Sequence, residues 1–193
     1  MNNQSSIEKL IISGKKVFTV EDLAVIWNIS DHRKLIERIK YYLRQQKFSS
    51  IYRGVYVYGE PSPLEIAQKL VPLSYVSLYT TSQMHGLTFQ HYSSIYCMSL
   101  RSVNFEIDSH KYIYRKVKNE IFFNNLGLIT QDNCTFANRE RTVCDLLYVF
   151  PGIELDNISN IDIMLFKKIS KIYHNKRLEK DVKNIVTQIK EGR

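Results

Sequence analysis

Glycine, proline and cysteine are scarce in this chain of 193 residues, which has seven, four and three of them. With so few glycines there is no loop to cradle a phosphate, and the pattern G-x-x-x-x-G-K-[ST] does not occur, so we expect no cofactor. The cysteines, Cys97, Cys134 and Cys144, are widely spaced and form no zinc-binding pattern. We therefore expect no metal site and a reducing, cytoplasmic environment.

Long apolar runs are also missing. No stretch approaches the roughly 18 apolar residues of a membrane span, and the N-terminus does not resemble a signal peptide. We therefore expect a protein that neither crosses a membrane nor is secreted. The hydrophobic content of 44%, with thirteen tyrosines and nine phenylalanines, predicts a substantial core and a fold that contains a sheet.

Positive charge is plentiful and unevenly distributed. The formal net charge is +8, which indicates a polyanionic partner. Residues 1–59 carry ten Lys/Arg against five Asp/Glu, residues 60–166 eight against eleven, and residues 167–193 nine against three. Two basic ends therefore flank a slightly acidic middle.

The sequence of residues 17–58 predicts a helix, a turn, a basic helix and a hairpin. A short amphipathic helix that ends at Gly14 is predicted before them. Thr19 and Asp22 have the spacing of a capping box. Ser30 or Asp31 can cap the basic helix, which we place at about 31–46. One side of this helix is an apolar stripe of Leu35, Ile36, Ile39, Tyr42 and Leu43.

The other side of the basic helix has the charge and reach to contact phosphates and base edges in a major groove. It carries Arg33, Lys34, Lys40, Tyr41 and Arg44, with Arg38 and Gln45 on its flank. Glu37 can pair with Arg33 or Lys40, or accept a hydrogen bond from a cytosine amino group. His32 can contact DNA or only assist the cap. A merely solvated charged face is the alternative interpretation of the whole set.

The hairpin favours the DNA-binding interpretation. Two β-prone runs, 48–51 and 55–58, flank an Arg53-Gly54 turn. A basic hairpin tip after a basic helix is the usual wing arrangement, so Lys47 and Arg53 are candidate phosphate contacts. We therefore predict a winged helix-turn-helix over 1–58.

The rest of the chain predicts a mixed α/β domain over 64–193, after a linker at 59–63. The whole is then an α+β protein with an antiparallel or mixed sheet and a helical C-terminus. Helices are expected at about 64–70, 80–85, 139–150, 160–174 and 177–190. Strands are expected at 75–78, 95–100, 103–107, 112–117, 121–123 and 134–137.

Catalytic chemistry is weakly indicated. Glu106, Asp108 and Glu120 suggest a metal-dependent nuclease, but the Glu-x-Lys pattern of such a centre is missing. His85 precedes Gly86 at a predicted helix end, where bonding to a terminal carbonyl is the expected role. Glu140 suits a helix N-terminus, and Asp145 lies in an apolar setting where we expect it to bond backbone or an arginine. We therefore expect no catalytic residues and no enzyme.

A second basic surface is possible on the C-terminal helices. It consists of Lys167, Lys168, Lys171, Lys176, Arg177, Lys180 and Lys183. Three interpretations stay open: a further DNA contact, a surface used against a toxin or its RNA substrate, and a solvated helix face.

Three blocks of sequence resemble the AbiEi family of antitoxins. Residues 75–87, YVSLYTTSQMHGL, are similar to the family pattern Y-I-S-L-x-S-A-L-x-x-H-G-L, and residues 136–148, FANRERTVCDLLY, to I-A-x-x-E-K-A-L-x-D-L-L-Y. Residues 52–57, YRGVYV, match at the end of the predicted winged helix. The blocks occur in the family's order. Thr81 and the segment 141–143 depart from the pattern.

The resemblance implies a specific biology. AbiEi proteins accompany a nucleotidyltransferase-like toxin in abortive-infection systems that defend against phage. They bind inverted repeats in their own promoter and repress the operon, and their C-terminal domain counters the toxin without a stable complex, the type IV arrangement. We accordingly expect a monomer or weak dimer that cooperates on double-stranded DNA. The alternatives are a nucleic-acid-processing enzyme delivered by a winged helix and a transcription regulator without a toxin partner.

Overall fold

The computed structural model describes residues 5–107 and 109–191 and has the predicted α+β fold. The chain divides into two compact units, residues 1–72 and 73–193. Within the described residues, no helix is both long and apolar enough to cross a bilayer. Asp108, one of the nuclease candidates, lies outside the described residues.

The N-terminal unit contains four helices and three strands among its described residues. In chain order they are α1 (Ser6–Ile12), β1 (Val17–Thr19), α2 (Val20–Trp27), α3 (His32–Arg44), β2 (Ser49–Tyr52), β3 (Val55–Val57) and α4 (Pro63–Leu70). The Thr19–Asp22 capping box at the start of α2 is confirmed. Asp31, not Ser30, caps α3 by accepting the N–H groups of Arg33 and Lys34. The predicted basic helix and hairpin are thus present.

The strands of this unit form one antiparallel sheet in the order β1-β3-β2. The hairpin turns at Arg53-Gly54, where Gly54 has a φ of +75°, a conformation that glycine adopts without steric cost. Strand β1 was not predicted, because three residues between two helices give too short a pattern. It pairs with β3 from Val17 opposite Val57 to Thr19 opposite Val55. The hairpin is therefore anchored to the segment that leads into α2.

The two compact units meet after residue 72, one helix beyond the predicted linker at 59–63, because α4 belongs to the N-terminal unit. The buried carboxylate of Glu65 accepts the backbone N–H groups of Lys16 and Val17 at 2.9 and 3.0 Å. Lys69 forms a 2.7 Å ion pair with Asp22 on α2. The Pro61 and Pro63 signals mark the N-terminus of a packed helix, where proline is favoured, and not a division between units.

The C-terminal unit is built on a six-stranded sheet in the order β6-β7-β5-β4-β9-β8. The strands are β4 (Ser74–Val76), β5 (Ile95–Ser99), β6 (Val103–Ile107), β7 (His110–Lys116), β8 (Leu128–Gln131) and β9 (Cys134–Ala137). The pairs β4–β9 and β5–β7 are parallel and the others antiparallel, so the sheet is mixed.

The helices of this unit pack on a single core cluster. They are α5 (Leu78–Met84), α6 (Asn119–Phe122), α7 (Arg139–Val149), α8 (Ile163–Ser170) and α9 (Lys176–Lys190), with a 3₁₀ turn at Lys171–Tyr173. Helix α7 is buried on nearly all sides, and residues 140–147 are all buried. It contacts α5, α8 and α9, so α7 is the central helix of the unit.

Two predictions in this unit were wrong. The predicted strand at 121–123 is part of helix α6, and β8 was not predicted. A run of three apolar residues does not distinguish a short helix from a strand, and the buried side chain of Ile121 suits either. The other predicted elements are found within a few residues of their expected bounds.

Candidate nucleic-acid interface

Helix α3 separates its apolar and polar residues cleanly. Leu35 and Ile39 are buried in the core of the N-terminal unit. Two rows of exposed residues lie on the opposite side, each with the i, i+4, i+7, i+11 spacing that keeps side chains in line at about 100° per residue. The rows are Arg33, Glu37, Lys40, Arg44 and Lys34, Arg38, Tyr41, Gln45. We call Arg33, Lys34, Lys40, Tyr41 and Arg44, which are all exposed, the α3 basic face.

The cations of the α3 basic face are not neutralised within the protein. The helix carries five Lys/Arg and one Glu. Among the described residues, none of these six side chains takes part in an ion pair within 4.0 Å. Four acids elsewhere in the unit are engaged in its structure: Glu8 and Asp31 cap helices, Asp22 pairs with lysines, and Glu65 accepts backbone N–H groups.

The first turn of α3 opposes the usual rule for helix ends. A helix N-terminus carries partial positive charge and is stabilised by acidic side chains. Apart from the N-cap Asp31, helix α3 has no acid at this end and begins His32-Arg33-Lys34. Side chains that violate a local rule without a structural gain are expected at functional sites. The arrangement concentrates positive potential at the end of the helix that enters a groove in helix-turn-helix proteins.

The structure defines the surroundings of three flanking residues that the sequence left open. Arg38 donates from Nη1 to Ser6 Oγ at 3.2 Å, so it leans towards the start of α1 and lies at the edge of the α3 basic face. His32 is exposed, and the capping role is taken by Asp31. Of the two roles considered for Glu37, the ion pair with Arg33 or Lys40 is not found within the described part of the chain.

An aromatic chain fixes the hairpin relative to α3. Trp27 on α2 contacts Tyr42 on α3 and Phe48 at ring-centroid distances of 5.7 and 6.2 Å. Phe48 in turn packs edge-on against Tyr56 on β3 at 5.6 Å. These contacts leave Lys47 and Arg53, the candidate phosphate contacts, exposed before and at the tip of the hairpin.

The second basic surface is exposed at all seven predicted positions. Lys176, Lys180 and Lys183 share one face of α9, while Lys167 and Lys171 align on α8 and the turn after it. Arg177 has a structural contact instead, because it donates from Nη2 to the carbonyls of Leu147 and Tyr148 at 2.9 and 3.1 Å. It therefore satisfies carbonyls at the C-terminal end of α7.

The most polar part of the C-terminal core is a closed network around Asp145. Its carboxylate accepts the hydroxyls of Tyr75, Ser77 and Tyr173 at 3.1, 2.7 and 2.6 Å, and lies 3.7 Å from Nε of Arg141. Arg141 donates to four further oxygens: the carbonyls of Ile121, Asn124 and Leu126 and the Tyr75 hydroxyl. Both side chains are fully buried.

Burial raises the pKa of the Asp145 carboxyl, and the Arg141 guanidinium and the three hydroxyl donors oppose this. The pKa of Arg141 is raised because the attraction of Asp145 outweighs the burial of the guanidinium. All three hydroxyls donate to Asp145, which is the arrangement that an ionised carboxylate requires. With no solvent path to either charge, the network is structural, as the predicted arginine contact of Asp145 implied.

The remaining candidates for chemistry do not converge. His85 bonds the carbonyl of Ala137 through Nε2 at 2.9 Å, so its partner lies on β9 and not at the helix end that the sequence suggested. Glu140 accepts the backbone N–H of Asp162. Glu106 is exposed on β6 and Glu120 on α6, not on a shared strand. Among the described residues, no three His, Cys, Asp or Glu side chains are grouped to hold a metal ion.

The three cysteines are free thiols in the interior. Burial raises the pKa of the Cys97 thiol, so it is held in the protonated, unreactive form. No model of a known protein family matches the chain, and no curated protein matches it either.

Proposed function

We propose that the protein binds double-stranded DNA sequence-specifically and acts as a transcriptional repressor, not as an enzyme. The observation that carries the proposal is the α3 basic face: exposed, unpaired cations on a helix whose other side is anchored in the core. A solvated helix that served only to cover the core would gain stability from acids in its first turn.

The winged-helix interpretation is supported by the order helix, strand, helix, helix, strand, strand in the first 57 residues. In the proposed complex, α3 enters the major groove and presents Arg33, Lys40 and Arg44 to base edges. Lys34 and Tyr41 contact the strand alongside, and Lys47 and Arg53 hold the hairpin on the phosphate backbone. Glu37, which makes no ion pair with any residue that the structure describes, is the candidate acceptor for a cytosine amino group.

The resemblance to AbiEi antitoxins extends the proposal to its biology. We propose that the DNA site is an inverted repeat in the protein's own promoter and that the protein counters a nucleotidyltransferase-like toxin of an abortive-infection system. Two of the three matching blocks meet in the C-terminal unit, where Tyr75 and Ser77 of one block bond Asp145 of the other. This joint role in one core supports the interpretation of the two blocks as one signature.

The second basic surface enters the proposal as an additional site for phosphates. Lys176, Lys180 and Lys183 are exposed in a row on α9 and, within the described residues, make no ion pair. Replacing them with alanine should lower the salt dependence of DNA affinity, by about 0.9 in the log–log slope for each phosphate that is no longer neutralised. An unchanged slope would leave these lysines with a solvated role or a role against the toxin.

The test is a gel-shift of the full chain on the DNA upstream of its own gene, with and without Mg²⁺. We expect shifted, uncut DNA whose affinity exceeds that for a scrambled duplex of equal length. Cleavage in the Mg²⁺ lane would favour a nucleic-acid-processing enzyme. Equal binding to both duplexes would contradict sequence-specific repression. A neighbouring nucleotidyltransferase reading frame would distinguish an antitoxin from a regulator without a toxin.

A further inference from the structure

A groove runs beside α9 in the C-terminal unit. Two adjoining clefts of about 370 and 450 Å³ share Leu155, Ile158 and Gln188 in their walls, so they form one continuous depression between residues 152–159 and α9. Helix α9 lines it with Asp181, Ile185 and Gln188. This i, i+4, i+7 row spans about 10 Å at 1.5 Å per residue, the length over which two packed helices interlock.

The floor of the groove is apolar and half-exposed. Ile153, Leu155, Ile158, Ile185 and Ile189 all pack against the core cluster with one side and remain partly accessible on the other. Phe89, which is 82% exposed, lies next to the groove because its backbone N–H bonds Asp156 at 2.7 Å. The floor of the groove therefore suits an apolar ligand surface.

The rim of the groove is acidic, against the charge of the whole chain. Glu154 and Asp181 both line the first cleft, and in the described part of the chain neither carboxylate has an ion-pair partner within 4.0 Å. Residues 150–162 contain Glu154, Asp156 and Asp162 and no lysine or arginine. The described residues that line the two clefts include the acids Glu154, Asp156 and Asp181 and no lysine or arginine, while Lys180 stands one helical turn before the lining residue Asn184.

The apolar floor and the acidic rim indicate which kind of ligand the groove can bind. Nucleic acid is disfavoured because the carboxylates would repel its phosphates. An apolar floor along a helix with acids at its edge complements a helix whose apolar stripe is flanked by lysines or arginines. We propose that this groove docks a basic amphipathic helix of a partner protein. The surface is independent of the DNA-binding proposal, because its residues do not belong to the α3 basic face.

The test uses two synthetic peptides of about 18 residues, long enough to form a helix when bound. They share one leucine stripe and differ only in carrying lysine or glutamate beside it. Binding to the full chain is measured by fluorescence anisotropy for the natural protein and for the Glu154→Lys/Asp181→Lys variant. The matched control is Glu120→Lys/Glu179→Lys, which makes the same charge change at exposed acids outside the groove.

We expect the lysine peptide to bind the natural protein and the control variant with similar affinity, and the groove variant at least tenfold more weakly. The glutamate peptide should show the reverse preference for the groove variant. Circular dichroism and the gel-shift should be unchanged in all three proteins, which separates this proposal from the DNA-binding one. Equal binding of both peptides to the natural protein, or full binding of the lysine peptide to the groove variant, would overturn the proposal.

Discussion

Arg141 and Arg44 carry the same guanidinium in opposite environments, and burial decides what each does. Arg141 is fully buried, forms an ion pair with Asp145 and donates hydrogen bonds to three carbonyls and a tyrosine hydroxyl. Its charge is therefore neutralised within the fold and is not available to a ligand. Arg44 is exposed at the end of α3, and within the described ranges it has no ion pair. Its charge is available to a ligand. The two arginines therefore lead to predictions about different properties, stability for one and affinity for the other.

Replacing Arg33 or Arg44 by alanine should cost about 1–3 kcal/mol of specific DNA binding if the side chain reads a base. The fold should be unaffected, because both side chains are exposed. Gel-shift titrations on the promoter DNA would measure the loss, with Arg101→Ala, an exposed arginine of the C-terminal unit, as the control. Unchanged affinity in both variants would contradict the placement of α3 in the groove.

Asp145→Asn should destabilise the protein by about 3–5 kcal/mol, because it leaves the buried Arg141 charge uncompensated. Three hydroxyl groups would also lose a charged acceptor. Urea unfolding followed by circular dichroism measures the change. Asp132→Asn, at an exposed position in the turn between β8 and β9, serves as the control and should differ little from the natural protein. A loss below about 1 kcal/mol would mean that the network is not a principal support of the fold.

Secondary-structure elements were predictable where their signals span a turn or more. Helix α3 combined a long apolar stripe with a capping residue and was found at its expected position. Strands β1 and β8 and helix α6 have three or four residues each, and such short segments owe their conformation to the neighbours with which they pair. The exposed residues of the site could be predicted from helical periodicity. The attachment of α4 could not, since Glu65 and its backbone partners are 48 and 49 residues apart.

The attachment of α2 to α4 should depend on pH through Asp22. Burial alone would raise the pKa of this carboxyl. The hydrogen bonds from Lys69 and the Thr19 N–H and the charges of Lys69 and Lys15 have a larger, opposite effect, so the pKa of Asp22 is below its usual value. The ionised form therefore stabilises the fold above the unfolded pKa of about 3.9, and this contribution is lost as the pH falls through the lower folded pKa.

Asp22→Asn should accordingly cost about 1–2 kcal/mol at pH 7. The difference from the natural protein should shrink to near zero at about pH 2. Thermal unfolding at a series of pH values measures this, with Glu21→Gln, the exposed neighbour in the same helical turn, as the control. A difference that stayed constant across this range would contradict the ion-pair explanation.

The hairpin should contribute affinity without specificity. Lys47→Ala and Arg53→Ala each remove an exposed cation that we place on phosphate. Each should weaken binding to promoter and scrambled DNA by a similar factor and lower the log–log salt slope by about 0.9. Binding measured at several salt concentrations on both duplexes checks this. A variant with weaker binding to the promoter alone would indicate that the hairpin reads bases.

On the scale of the whole molecule, the two compact units divide the proposed tasks: DNA binding in residues 1–72, and toxin control and partner docking in residues 73–193. The charge distribution agrees with this division for the N-terminal unit, where Glu8, Asp22, Asp31 and Glu65 are held in caps and internal contacts while the cations of the α3 basic face are exposed. The division also predicts where the part proposed to bind DNA can be separated from the rest of the chain.

A fragment of residues 1–72 should unfold cooperatively and bind promoter DNA, whereas a fragment of residues 1–62 should do neither. The shorter fragment removes the Glu65 carboxylate from the N–H groups of Lys16 and Val17, and Val17 is fully buried. Removing α4 also exposes the apolar surface that Ile66, Ala67 and Leu70 cover, so the fragment loses buried area as well as hydrogen bonds, a large share of the stability of so small a unit. Asp22 also loses its closest lysine.

Thermal melts of the two fragments measure cooperative unfolding, and gel-shifts measure DNA binding. The full chain carrying Glu65→Gln tests the contribution of the Glu65 carboxylate without removing α4. Both N–H groups bond the same carboxylate oxygen of Glu65, Oε1, and glutamine keeps such an oxygen without the negative charge. This variant should therefore be less stable than the natural protein yet folded and able to bind DNA. If the 1–62 fragment melted cooperatively and bound as tightly as 1–72, the boundary would return to the 59–63 segment, and α4 would act only as a connection between the units.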